Sequence, residues 1–132
     1  PLKNYTTVSG VPISQLISDN RLNEIIQRTR DGGAEIVKLL KTGSAFYAPG
    51  VSSIEMAYSI IMNERKILPC CAYANGEYKI NDQFVGLPVI LSNKGVEKII
   101  EIDLSEDEQN ELEVSASHVK ELCDLIDSFN IL

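Results

Sequence analysis

The ten residues from Lys41 to Gly50 (Lys-Thr-Gly-Ser-Ala-Phe-Tyr-Ala-Pro-Gly) are the stretch of this 132-residue chain whose side chains best suit a binding surface. Small residues beside two aromatics let a flat ligand approach the backbone, and loops held between rigid elements commonly carry such contacts. A tight corner between two helices uses the same residues, so both readings stand. Other candidates point away from catalysis. His118 is the only histidine; at the edge of an apolar helical stripe and among acids, it reads as a half-exposed helix residue and not as a general base. Arg28 and Arg30 could in principle clamp a dicarboxylate, but helix residues two apart do not share a face, so they read as separate surface or interface partners. Glu106, Asp107, Glu108, Glu111 and Glu113 crowd a helix start, where negative charge favours the macrodipole. Adjacent Cys70 and Cys71 alternate across a strand as core and surface. With Cys123 alone and no Cys/His cluster at zinc spacing, neither a disulfide framework nor a metal site is indicated, and a reducing, cytoplasmic setting is favoured. No two glycines stand two or five positions apart, so neither GxGxxG nor GxxxxGK[ST] exists in the chain. The residues alone assign no catalytic group.

The elements that must position these side chains follow from periodicity. Leu22, Ile25, Ile26, Thr29, Gly33, Ile36, Val37 and Leu40 form one helical stripe, with Asp19 or Asn20 as its cap. Gly32 and Gly33 lie inside it, which predicts a bend or the close approach of another backbone. Val51, Ile54, Ala57, Tyr58 and Ile61 mark a second helix, with Pro49 suited to its first turn. The period then changes. Residues 67–73 are a compact apolar run, Pro69 suggests an edge or a kink, and Asn75-Gly76 signals a two-residue hairpin. Residues 84–91 and 96–104 read as further strands of an antiparallel meander. Ser105 and Glu108 form a capping box, and Leu112, Ala116, Val119, Leu122, Ile126 and Phe129 give a last helical stripe. Before residue 20 only a short strand, broken at Gly10, is expected. The sum is one α+β domain, two or three amphipathic helices packed on one face of an antiparallel sheet.

Composition agrees with a globular domain: 44% hydrophobic, 23% charged, no Trp. A chain of this length buries roughly two-thirds of its unfolded surface and needs no staples. The net charge of −7 is unevenly spread, because from Glu97 onward eleven acids face only Lys98 and Lys120. That balance disfavours nucleic acid and anionic membrane surfaces as partners. No apolar run reaches the ~18 residues of a membrane span, and the start at Pro1 is read as an internal position, with neither Met nor a signal core.

Particular strings carry a resemblance. The segment from Gln27 to Val37 (QRTRDGGAEIV), the run from Leu40 to Pro49, Tyr5 to Pro12 (YTTVSGVP), Leu68-Pro69-Cys70, Val85-Gly86-Leu87-Pro88 and Gly95-Val96-Glu97-Lys98-Ile99 together resemble malate dehydrogenases of the bacterial, lactate-dehydrogenase-like type. The likeness extends over essentially the whole chain, but only to the C-terminal part of that enzyme. It implies that residues 1–132 are the C-terminal substrate domain, and that a Rossmann NAD-binding domain belongs upstream of Pro1-Leu2, a pair similar to the residues that follow the family's catalytic-histidine motif.

The resemblance further implies a parent enzyme that interconverts malate and oxaloacetate with NAD in the tricarboxylic acid cycle, in the cytoplasm, as a homo-oligomer of two or four subunits. In such enzymes a histidine takes the hydroxyl proton, an aspartate orients it and arginines bind the carboxylates. None of those positions falls in this chain, so the fragment alone is expected to be inactive. What remains is a wall of the site: Ala45 stands where related lactate dehydrogenases carry a threonine beside the substrate, and Pro49 falls near the nicotinamide ring. Gly50 departs from the alanine of the subfamily. Lactate dehydrogenase of the same superfamily is the alternative activity, and a non-catalytic assembly module is the alternative class.

Overall fold

The computed structural model describes residues 1–129. The chain divides into two compact units, Pro1–Val51 and Ser52–Leu132. In the first, β1 (Thr7–Val8) and β2 (Val11–Pro12) form a two-residue hairpin. Its turn residues Ser9 and Gly10 both have positive φ, 51° and 84°, which matches the twist of paired strands and suits glycine at the second position. Helix α1 (Asp19–Leu40) follows. Its cap is Ser18, one residue before the expected Asp19 or Asn20: Ser18 keeps extended backbone angles, and its hydroxyl accepts from the Arg21 amide at 3.5 Å. Asp19 instead sits in the first turn, where its charge favours the helix dipole.

Helix α1 runs continuously through Gly32 and Gly33, and within the described chain nothing comes within 4 Å of a methyl added at either glycine. Gly32 has a local role. Arg28 donates through Nε and Nη2 to both oxygens of Glu35, at 3.2 and 3.0 Å, and Gly32 lies between them on the same helix face with no side chain to obstruct the fork. Only Leu22 of the predicted stripe is buried and Ile26 half-buried; Ile25, Ile36, Val37 and Leu40 remain exposed.

In the second unit, β3 (Lys66–Asn75), β4 (Asn81–Ser92) and β5 (Gly95–Ile99) make an antiparallel sheet in the order β3-β4-β5. Strict alternation sends Cys70, Ala72 and Ala74 of β3, and Val85, Leu87, Val89 and Leu91 of β4, to one buried face. Ala116 of α3 (Glu106–Ser128) completes this core, and Met56 and Ile60 of α2 (Tyr47–Ile61) pack against it. The α+β expectation of helices over one sheet face therefore holds. Pro69 occupies β3, an edge strand, as anticipated.

Four local expectations are corrected. The Asn75-Gly76 hairpin is present, but its loop has five residues, 76–80, with a short helical turn at Glu77–Lys79. The last strand ends at Ile99, not at residue 104. Beyond it the backbone bonds to Tyr78, whose hydroxyl donates to the Ile100 carbonyl at 2.7 Å and accepts from the Ile102 amide at 3.0 Å. A side chain here replaces a strand partner. On α2, the predicted stripe Val51, Ile54, Tyr58 and Ile61 is exposed, and the sheet-facing side is Met56, Ser59 and Ile60. On α3, burial stops at Leu112, Ala116 and half-buried Val119, leaving Leu122, Ile126 and Phe129 exposed because nothing in the described chain covers the last turns. The capping box is as expected, with Ser105 and Glu108 exchanging side-chain-to-amide bonds.

The end of α2 is tied to the β4–β5 ribbon. Asn63 Oδ1 accepts from the Asn93 amide at 3.2 Å, and Arg65 makes a two-bonded fork to Glu97 at 3.0 and 2.6 Å. The Arg65 guanidinium holds the Glu97 carboxyl below the usual glutamate range. The folded carboxyl titrates below the unfolded one, at about 4.3, so the pair's contribution is complete above that pH and is lost as acidification passes the folded value. An NMR titration is expected to place Glu97 below an ordinary glutamate and to return it upward in Arg65→Gln; a midpoint indifferent to that substitution would contradict the assignment.

Candidate functional site

The connector is built by the end of one helix and the start of the next. Lys41 closes α1 in a left-handed conformation, φ 61°, and Gly43 follows at φ 108°, a value that glycine adopts without strain. The chain turns and starts α2 at Tyr47, where the Gly50 amide bonds back to the Phe46 carbonyl at 2.9 Å. Pro49 is thus the third residue of the first helical turn, where a missing N–H costs no helix bond. Phe46 and Tyr47 stack on one another with ring centroids 4.7 Å apart, and both are largely exposed. Ala45 is half-buried beside them and Pro49 is exposed. The connector therefore presents small and aromatic apolar groups, with no titratable side chain from Thr42 to Phe46. Ala45, Phe46 and Pro49 can exclude water and contact a ring; none of them can transfer a proton.

The side chains that could do acid–base work lie elsewhere. His118 is exposed on α3. Arg28 is engaged by Glu35. Burial pushes the Cys70 thiol up, away from the reactive thiolate, while Cys71 and Cys123 are exposed, and all three are free thiols. Among the described residues no group of three or more His, Cys, Asp or Glu is placed to hold a metal, and no helix is long and apolar enough to cross a membrane.

Two further features lie outside the sequence expectations, one a surface and one a buried side chain. The outer face of the sheet exposes Ile67, Cys71 and Tyr73 of β3 and Phe84 of β4, with Tyr73 edge-on to Phe84 at 5.3 Å and its hydroxyl donating to Asp82 at 2.8 Å. The surface position of Cys71 beside buried Cys70 is as the sequence suggests, and Ile67, Tyr73 and Phe84 share that outer face. The other is Ser59, fully buried on α2, whose hydroxyl donates to the Leu91 carbonyl at 2.9 Å. A hydrophobicity scan passes over a serine.

Residues 3–130 match the family described as lactate/malate dehydrogenase, alpha/beta C-terminal domain. The chain belongs to this family. The malate dehydrogenase of Chloroherpeton thalassium is 48% identical over 128 residues, which are 97% of this chain and 41% of that protein. Among solved structures, malate dehydrogenase from Salinibacter ruber superposes with a TM-score of 0.95 at 48% identity, covering 98% of this chain and 42% of its own. Lactate dehydrogenase from Eimeria maxima, solved with NADH and oxamate, gives 0.93 at 38% identity over 98% and 42%. This lactate/malate dehydrogenase domain thus spans about two-fifths of the length of the relatives it matches.

Proposed function

We propose that residues 1–132 are the C-terminal substrate domain of an NAD-dependent malate dehydrogenase that interconverts malate and oxaloacetate, with a Rossmann NAD-binding domain contributed by preceding chain. The observation that carries this reading is the 48% identity with a malate dehydrogenase across nearly the whole domain. The chain's free thiols and the absence of any disulfide among them favour a reducing, cytoplasmic location.

Ala45 and Pro49 form one wall of the site, against substrate and nicotinamide respectively. Their chemistry fits the nicotinamide end of the cofactor, because the connector offers apolar, small surface there. Among the described residues no loop suits a pyrophosphate, and the proposed preceding domain would take that role. Ala45 and Pro49 would flank the nicotinamide end of NAD, which would supply the hydride acceptor for C2 of malate. Ala45 and Pro49 keep water from that region and set the distance of approach, which strengthens the electrostatics supplied by charged groups outside this chain.

Lactate is the second substrate to weigh, since the Eimeria lactate dehydrogenase superposes nearly as well as the malate dehydrogenase. The deciding test is initial rates of NADH formation by the complete enzyme with malate and with lactate. Malate is expected to be preferred by 100-fold or more in kcat/KM, since a site built for a second carboxylate is left with unpaired charge by lactate. Preference for lactate assigns the alternative activity. No oxidation of either overturns the enzyme reading and leaves the assembly module.

Homo-oligomerisation completes the proposal. The outer stripe of α2 repeats at helical spacing, with Ile54 69% and Ile61 77% exposed. An exposed apolar helix stripe of this kind marks an interface. The acidic α3 is disfavoured for it, because two copies of that segment repel. Sedimentation velocity is expected to show a dimer or larger that Ile54→Asp or Tyr58→Asp dissociates and Glu111→Gln leaves intact. A monomer at micromolar concentration and at both low and high salt would refute it.

A further inference from the structure

Ser59 and Ser92 are the fully buried polar side chains among the described residues, and Ser59 is the one that ties a helix to the sheet. Burying a hydroxyl is costly without a partner and close to neutral with one. The hydroxyl supplies what alanine would lack, a directional bond from α2 to the Leu91 carbonyl of β4. Leu91 adjoins the bulge of the β4·β5 ladder, where Ile90 pairs with Lys98, Leu91 with Val96, and Glu97 lies between. Apolar neighbours Met56 and Ile60 hold the helix against the core but define its rotation and axial position only loosely, since dispersion contacts have little directionality. The ties at Asn63 and Arg65 lie past the helix end and are exposed.

The same continuous helix carries Pro49 in its first turn. Ten residues separate Pro49 from Ser59, about 15 Å at the helical rise, so a few degrees of tilt about the Ser59 anchor, or a small slide, displaces Pro49 by about an ångström. Misplacement of that size costs about 100-fold where a bound ring must meet a reacting carbon.

We propose that Ser59 is a positioning residue for the dehydrogenase site: its bond to Leu91 sets the axial position and rotation of α2 and thereby the placement of the Pro49 wall. This rests on the malate dehydrogenase reading above. The test is made in the complete enzyme with Ser59→Ala, Ser59→Thr and Ile60→Val, measuring kcat, KM, melting temperature and the primary isotope effect with malate deuterated at C2. Ser59→Ala is expected to lower kcat about tenfold at a temperature where it is fully folded, and to enlarge the isotope effect as hydride transfer becomes rate-limiting, with little change in the KM for malate. Ser59→Thr, which keeps the hydroxyl, is expected to recover most of the loss. Ile60→Val is expected to lower the melting temperature with kcat and isotope effect unchanged. A Ser59→Ala enzyme that is merely less heat-stable, with the unsubstituted kcat and isotope effect, overturns the proposal, as does an equal loss of kcat in Ile60→Val. Failure of the unsubstituted enzyme to oxidise malate would instead show that the underlying functional reading is wrong, and the positioning role would fall with it.

Discussion

Mixed with malate and NAD, the isolated 132-residue chain is expected to form no NADH above the uncatalysed background, whereas the complete enzyme proposed above is expected to turn over. The difference is the largest anticipated for this protein, since enzymes accelerate their reactions by at least about a million-fold. The reason is chemical. His118 is an exposed helix residue far in sequence from the connector, Arg28 is occupied by Glu35, and Ala45 and Pro49 offer only apolar contact. A wall without a proton acceptor, carboxylate anchors or a dinucleotide cradle has no means of stabilising the transition state. The measurement is NADH absorbance with a sample whose intact mass equals that of this chain. Turnover by such a sample would require catalytic groups within residues 1–132 and would redraw the site.

The second large effect concerns stability. Leu87→Ala, at a side chain 2% exposed on the central strand β4, is expected to cost about 3 kcal/mol, as truncation of a buried leucine leaves a cavity that a close-packed core closes only in part. Ile67→Ala, on the other face of the same sheet and 63% exposed, is expected to change stability by no more than about 0.5 kcal/mol in the isolated chain. Urea denaturation of the second unit checks both. Equal costs would mean that the outer sheet face is covered in solution.

Most of the architecture was legible in the sequence because its signals are local. The capping box at Ser105 and Glu108, the Asn75-Gly76 turn signal and the period of 22–40 each report on their own neighbourhood, and the last helix's start, the hairpin and the first helix are where they were expected. What was misread depends on partners distant in the chain. Helix α2 is apolar on two sides, so periodicity alone selected Val51, Ile54, Tyr58 and Ile61, the side that this chain leaves open, while the side facing β4 is marked by a serine. The alternation of Ile100, Ile102 and Leu104 against Glu101 and Asp103 resembles a strand, yet a strand also needs a neighbour, and Tyr78 takes that place. The candidate site was visible only as a composition, because Ala45 and Pro49 are proposed as contact residues, and the meaning of such residues comes from what they touch.

Tyr78 has a consequence for how the second unit opens. Its own backbone stands in a left-handed conformation, φ 51° and ψ 23°, and its amide donates to Glu101 while its carbonyl accepts from Gln109 at the start of α3. With the hydroxyl bridging Ile100 and Ile102, one residue ties the hairpin loop, the strandless segment and the first turns of the last helix. None of the three can fray alone without breaking bonds that the other two share. They therefore belong to a single cooperative opening unit. Native-state hydrogen exchange should find the Ile102 amide, which lies outside any strand ladder, protected to nearly the same free energy as the centre of β4. In Tyr78→Phe that amide should exchange by local fluctuation while β4 stays closed, converting a concerted opening into independent ones.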